Sequence, residues 1–141
     1  MSSAWSLVVH GGAGPLRDAD QAGAEAHMAK TLRAGADALA RGAAAVDVVQ
    51  EAVSQLEESG FHIAGRGASP NAEGRWELDA ALMDGEKRRA GCVAALRGFR
   101  SPIAAARKVL DDSPHVLLVG KGATRFLKPY KLAKVRNPRE Y

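Results

Sequence analysis

His10 heads the run His10-Gly11-Gly12-Ala13-Gly14, directly after the β-forming residues Leu7, Val8 and Val9. An imidazole at the end of a strand either holds its loop by hydrogen bonding or acts as a general base. The glycines let the main chain take positive φ or approach another group closely. Two readings therefore stand for the run: backbone brought to a reacting centre with His10 fixing the loop, and a plain glycine turn. Other chemistry-bearing types are weaker candidates. Asp79 and Asp84 would fall on opposite faces of a strand and turn, which suits structural hydrogen bonding rather than paired acid–base work. Cys92 sits in the apolar run "CVAAL" with no cation in it, which favours a buried, inert thiol. Ser2 would become an N-terminal nucleophile only after loss of Met1, and "SSAWS" offers it no support. "GKGAT", Gly120 to Thr124, lacks the glycine spacing and the Lys-Ser/Thr pair of a phosphate loop.

The elements that must position these residues alternate between strand and helix. Leu7 to Val9 predict a first strand. An alanine-rich helix is expected from about Asp18 to Arg41, stopped at Gly42. A second follows in "AAAVDVVQEAVSQLEES", with Val46, Val49, Val53 and Leu56 as its apolar face and Asp47, Gln50, Glu51 and Glu57 turned elsewhere. Asn71 with Gly74 marks a turn. "RWELDAALMDG" alternates in the β manner, "DGEKRR" turns the chain, and "AGCVAALRGF" returns as the second arm of a hairpin. Ser101 caps a helix that begins at Pro102 and buries Ile103, Ala106, Val109 and Leu110. "SPHVLLVG" predicts a last short strand and "GATRFLKPY" a last helix.

Composition bounds the rest. The 141 residues fit one domain, with 46% hydrophobic and 5% aromatic residues. Much of the apolar content is alanine, which buries little area per residue, so part of the core is expected to come from a partner surface. The net charge of +4 is concentrated late: Lys121, Arg125, Lys128, Lys131, Lys134, Arg136 and Arg139 stand against Glu140 alone. That stretch lacks aromatic interleaving and any reader motif, so residues 127–141 are expected to form a basic, poorly ordered tail without a nucleic-acid role. One cysteine excludes an internal disulfide framework, and no Cys/His cluster has metal-ligand spacing. No run approaches the roughly 20 apolar residues of a membrane span. A soluble, cytoplasmic chain with no membrane partner is the expectation.

Taken together, "VVHGGAG", "AVDVVQEAV", "AGRGASPNAEGRWELDAALMDG", "RAGCVAAL", "SPIAAARKVL" and "SPHVLLVGKGA" carry a resemblance. Their order and spacing resemble those of the isoaspartyl peptidases and plant-type L-asparaginases, which are N-terminal-nucleophile hydrolases. The resemblance runs from Leu7 to about Phe126 and is to the α subunit of that family.

It implies an α/β fold of four layers, αββα, of which this chain is the α-subunit half. One precursor cuts itself in two and frees a threonine as the first residue of a β subunit, where its own α-amino group serves as base. That threonine follows a Gly-Thr-Val-Gly-like motif, which this sequence lacks, so no catalytic residue is expected within it. The resemblance implies hydrolysis of β-aspartyl dipeptides or L-asparagine through an acyl-enzyme, and a dimer of αβ units. It makes His10, Gly11, Gly12 and Gly14 a wall of the active site. Ile63 belongs to the same wall, where family members commonly carry an asparagine whose amide reaches the catalytic centre. This substitution removes a polar contact or shifts the loop's alignment by a residue. The segment "LEESGFHIAGRG" resembles a loop that wraps a structural sodium ion through the main-chain carbonyls of Leu56, Glu57, Ser59, His62, Ala64 and Arg66; no other cofactor is implied. The same segment also reads as an ordinary helix-to-strand connection. Two other classes match parts of the pattern. An α/β-hydrolase fragment fails for want of a G-x-S-x-G elbow. A non-catalytic binding or regulatory module with a decayed site draws support from Ile63 and the missing threonine.

Overall fold

A computed structural model describes residues 4–13, 18–137 and 140–141. Ser2, Gly14 and Arg139 lie outside the described residues. The elements run α1 (Asp18–Ala40), α2 (Ala45–Ser59), a 3₁₀ turn (Gly65–Gly67), β1 (Leu78–Asp84), β2 (Arg89–Leu96), α3 (Pro102–Asp112), β3 (Leu117–Val119) and α4 (Gly120–Leu127). Among the described residues no helix is long and apolar enough to cross a membrane.

The strand expected over Leu7 to Val9 is not formed among the described residues. A strand exists by its ladder partners, and no described residue supplies one to this segment. The burial alternation is nonetheless strand-like. Leu7 packs on α1 where Gly35 leaves room, since a Cβ there would lie 2.6 Å from Leu7 Cδ2, while Val8 is 89% exposed.

Helix α2 ends at Gly60, whose φ of 73° is the left-handed cap that glycine adopts freely. Its buried residues are Val48, Ala52, Leu56 and Glu57, a different stripe from the one expected, and Val49 is exposed. Two neighbours cause the difference. Val48 meets α1 at Gly35, while Val46 and Val53 pack on the main core.

The sheet has the order β1-β2-β3, with β1 antiparallel and β3 parallel to β2. Its hairpin turns at Gly85–Arg88, and Arg88 takes a φ of 49°. Near the other end β2 carries a bulge: Leu78 pairs with Leu96 but Ala80 with Val93. Ala95 adopts a φ of 49° there, and its N–H donates to Asp79 Oδ1 at 2.8 Å. Asp79 thus satisfies the amide that the bulge removes from the ladder. Asp84 Oδ1 accepts from the turn amides of Glu86 at 3.1 Å and Lys87 at 3.3 Å, so both carboxylates do structural work.

Helix α3 begins as expected, with Pro102 in its first turn and Ser101 Oγ accepting from Ala104 N at 3.3 Å. It lies on one sheet face and, with α4, builds a core of Leu82, Val93, Leu96, Phe99, Ile103, Val109, Leu110 and Leu127. Among the described residues the opposite face is largely exposed. Ala81 pairs with Cys92 and Cys92 with Leu117, while Ala94 pairs with Val119, so these residues share that face with Met83. Met83 is 65% exposed, and Leu117 and Val119 are exposed too, although their side chains are apolar. Cys92 is half-buried in this row rather than enclosed in a core.

After α4 the chain runs beside the corner at residues 98–100. Arg100 N donates to Ala133 O at 3.0 Å and Val135 N to Gly98 O at 3.1 Å. The Tyr141 ring stacks on Trp76 with centroids 6.0 Å apart.

Gly91 marks the closest approach of sheet and α3, because a Cβ there would fall on the backbone at Leu110 N and Ala106 O. Gly91→Ala is expected to lower unfolding free energy by about 1–3 kcal/mol in urea melts. Gly85→Ala, whose Cβ would meet nothing within 4 Å, should stay within about 0.5 kcal/mol of the parent.

Candidate functional site

The N-terminal loop and the segment after α2 come together around one cavity. Gly12 takes a φ of 108°, and its N–H donates to His10 Nδ1 at 3.2 Å, so the imidazole fastens its own loop. Gly11 lies flat on the His62 ring: a Cβ there would sit 2.7 Å from Cε1 and 2.9 Å from Nδ1. Only glycine lets the backbone approach this ring. His10, Gly11, Gly12, Met28, Leu56, His62, Ile63 and Ala64 are among the residues that line a cavity of about 780 Å³. Four of the five residues expected to form the site wall thus meet at one place, and the fifth, Gly14, lies outside the described residues.

The walls are mostly apolar. Ile63 is 75% exposed at the rim and offers no hydrogen-bonding group where the resemblance implied an amide. His62 is buried, and its Nε2 has no hydrogen-bond partner among the described residues; the same holds for His27 Nδ1 and Thr31 Oγ1. His27 packs beside Phe61, with centroids 6.1 Å apart. Burial holds its pKa below the ordinary histidine value, and the neighbouring His62 and Lys30 act in the same direction.

Glu57 corrects the expectation that it turns away from the packed face. It is only 3% exposed, with Oε1 accepting from Ile103 N at 2.9 Å and Oε2 from Ser101 Oγ at 2.6 Å. The carboxyl therefore joins the end of α2 to the first turn of α3, whose backbone amides have no intrahelical acceptor. Burial pushes its pKa up to about 7, outweighing the two hydrogen bonds that pull it down. The sequence carried a signal for this role: Glu57 stands four residues after Val53 and so belongs to a buried helical phase.

The six residues expected to offer carbonyls to a sodium ion lie in the turn that follows Glu57. A Cβ on Gly65 would sit 2.7 Å from Glu57 O, and one on Gly67 would meet His62 O and come 3.1 Å from Gly60 O. Glycine is what lets the backbone of the turn pass this close to those carbonyls. Leu56 O accepts from Ser59 Oγ at 2.8 Å, His62 O from Ala64 N at 2.8 Å and Ala64 O from Gly67 N at 3.0 Å. A carbonyl has two lone pairs, so each keeps one, and an all-oxygen donor set fits a hard cation. Leu56, His62 and Ala64 also line the large cavity, whereas the side chain of Glu57 faces α3 and Arg66 is exposed. Asn71 stands apart as the turn residue expected, its Oδ1 accepting from Glu73 N and Arg75 N, each at 3.0 Å.

A family model described as asparaginase matches residues 3–140, almost the whole chain. The chain belongs to the asparaginase family. An isoaspartyl peptidase/L-asparaginase of Xenopus laevis is 38% identical over 131 residues, covering 93% of this chain and 42% of that protein. A plant-type L-asparaginase of Pyrococcus abyssi is 39% identical over 129 residues, covering 87% of this chain and 40% of that protein. An isoaspartyl peptidase of Salmonella typhimurium is 39% identical over 134 residues, covering 92% and 43%. This asparaginase-family chain thus spans about two fifths of the length of the curated relatives it matches.

The Glu57 bridge gives the asparaginase-family chain a pH signature. The folded value lies above the unfolded one, so the bridge's contribution is complete below about pH 4.5 and declines as pH rises through about 7. Glu57→Gln resembles the protonated acid, with one oxygen for Ile103 N–H and one donor for Ser101 Oγ. It should match the parent at pH 5 and lose less stability between pH 5 and 8, as read by calorimetric Tm.

Proposed function

We propose that this chain is the α subunit of a threonine amidohydrolase that cleaves β-aspartyl dipeptides and L-asparagine, the nucleophile lying on a polypeptide outside these 141 residues. The bare sheet face carries the reading. Ala81, Met83, Cys92, Leu117 and Val119 present an apolar surface from three strands, and such a patch marks an interface. A second sheet laid on it would complete a four-layer αββα sandwich.

In this proposal the threonine hydroxyl attacks the side-chain amide carbonyl of the substrate, and its own α-amino group takes the proton and passes it to the leaving amine. Water then hydrolyses the acyl ester. The chain's part is to wall the site: His10 fastens the glycine loop, Gly11 and Gly12 bring backbone close, and residues 61–64 close the opposite side. A sodium ion held by carbonyls of Leu56, Glu57, Ser59, His62, Ala64 and Arg66 would stiffen that loop. The full enzyme is a dimer of αβ units acting in the cytoplasm, a setting in which the single free Cys92 needs no disulfide partner. Ile63 favours a second reading, a binding or regulatory module, because the cavity rim lacks a substrate-facing amide there.

Intact-mass analysis and N-terminal sequencing of the native gene's purified product, with a β-aspartyl dipeptide assay, test the proposal. The expected result is a second polypeptide that begins with threonine, and dipeptide hydrolysis. A chain that runs alone as a folded, inactive monomer would overturn it in favour of the binding module. A partner without an N-terminal threonine would overturn the mechanism.

A further inference from the structure

The basic run late in the sequence becomes a shaped feature in the fold. From Ser113 to Arg139 the chain has no carboxylate side chain. Lys121, Arg125 and Lys128 fall at positions i, i+4 and i+7 and so line one side of α4 and its C-cap. Ala123 and Leu127 bury the other side in the core, which fixes the helix as a rigid platform. Lys134 comes to the same place from the following segment, because its backbone pairs with Phe99. Its ammonium lies 2.9 Å from the centroid of the Phe99 ring.

These four cations and Thr124 line a cavity of about 390 Å³. No acidic residue lines it, and among the described residues none of the four makes an ion pair. The other arginines near carboxylates behave differently: Arg97, Arg100 and Arg107 each hold a partner. Thr124 donates its hydroxyl proton to Gly120 O at 3.1 Å, so the charged donors of the lining are its Lys and Arg heads. Burial also lowers the pKa of Lys134, a cost to its charged form that a bound anion would offset. Like charges converging without counter-charge repel one another, and a multivalent anion removes that repulsion at one stroke. Arginine adds a planar fork suited to phosphoryl oxygens, and lysines add point charges.

We propose that this cavity binds a compact, multiply charged oxyanion, the phosphate or diphosphate group of a small ligand. The absence of an aromatic stacking platform among its lining residues separates it from a surface for single-stranded nucleic acid.

The test is isothermal titration of inorganic diphosphate into the full chain, with any polypeptide that copurifies with it, at constant ionic strength. Saturable one-to-one binding is expected, weaker by about tenfold or more in Arg125→Gln and in Lys134→Met, each losing a charged contact. Arg75→Gln, which removes a cation already paired with Glu73 elsewhere, should bind as the parent does. Arg125 is exposed on α4, so its variant keeps the test valid if Lys134→Met disturbs the fold. Absence of saturable binding would overturn the proposal, as would equal loss in Arg75→Gln. A mixed-sequence oligonucleotide that displaces diphosphate and binds more tightly would also overturn it, assigning the surface to nucleic acid.

Discussion

Three parts of the fold meet at the carboxyl of Glu57. It is buried at the end of α2, it receives the first-turn amide of α3 through Ile103, and its own backbone lies under Gly65 in the turn beside the large cavity. A buried acid without partners would be expelled or neutralised; one that accepts two hydrogen bonds instead sets the distance between the elements it joins. The cavity wall at residues 61–64 hangs from this point. Its position relative to the sheet follows from α3, because α3 is pressed onto β2 at Gly91 with no room for a side chain. The loop and the sheet are thus held in one frame by a carboxyl and a glycine.

The sheet is solved on one side only. Leu82, Val93 and Leu96 face the helices and pack into a dense core, while the alternate residues of the same strands face outward and are almost all apolar. In a strand the two faces alternate with period two, so a sheet meant for water on one face should show polar residues there. Asp79 is the exception, and its carboxylate is taken up by the bulge at Ala95. The alanine-rich composition has the same origin. Small residues on both faces suit a sheet enclosed between layers, and they leave a lone layer with little area to bury.

What the sequence made legible follows from how local each signal is. The hairpin, the Ser101-Pro102 helix start and the Gly42 stop depend on neighbours in the chain, and each appears where the residues place it. The strand at Leu7 depends on a ladder partner, which no local pattern reveals. The stripe of α2 shifted because two elements press on that helix, whereas periodicity assumes one buried side. Glu57 was misplaced by its charge, since a carboxylate at a buried phase reads as solvent-facing until its donors at residues 101 and 103 are brought near. The meeting of His10, Gly11, Gly12 and Ile63 at one cavity lay beyond composition or spacing, and came from the resemblance.

Unmet hydrogen bonding is found in the cavity wall and along α1. His62 Nε2, His27 Nδ1 and Thr31 Oγ1 are buried without partners among the described residues, and each such group costs roughly 1–3 kcal/mol. A domain that stabilises itself by a few kcal/mol in total does not carry several of these idly. Nor does it leave Val8, Met83 and Leu117 in water while alanines fill its core. On the half-enzyme proposal the exposed apolar face has one cause. In that proposal groups outside these 141 residues cover it, so surface that is costly in the isolated chain becomes interior on assembly. In that proposal catalysis is tied to assembly, because the glycine loop can present backbone to a reacting centre only when the polypeptide bearing the nucleophile is in place.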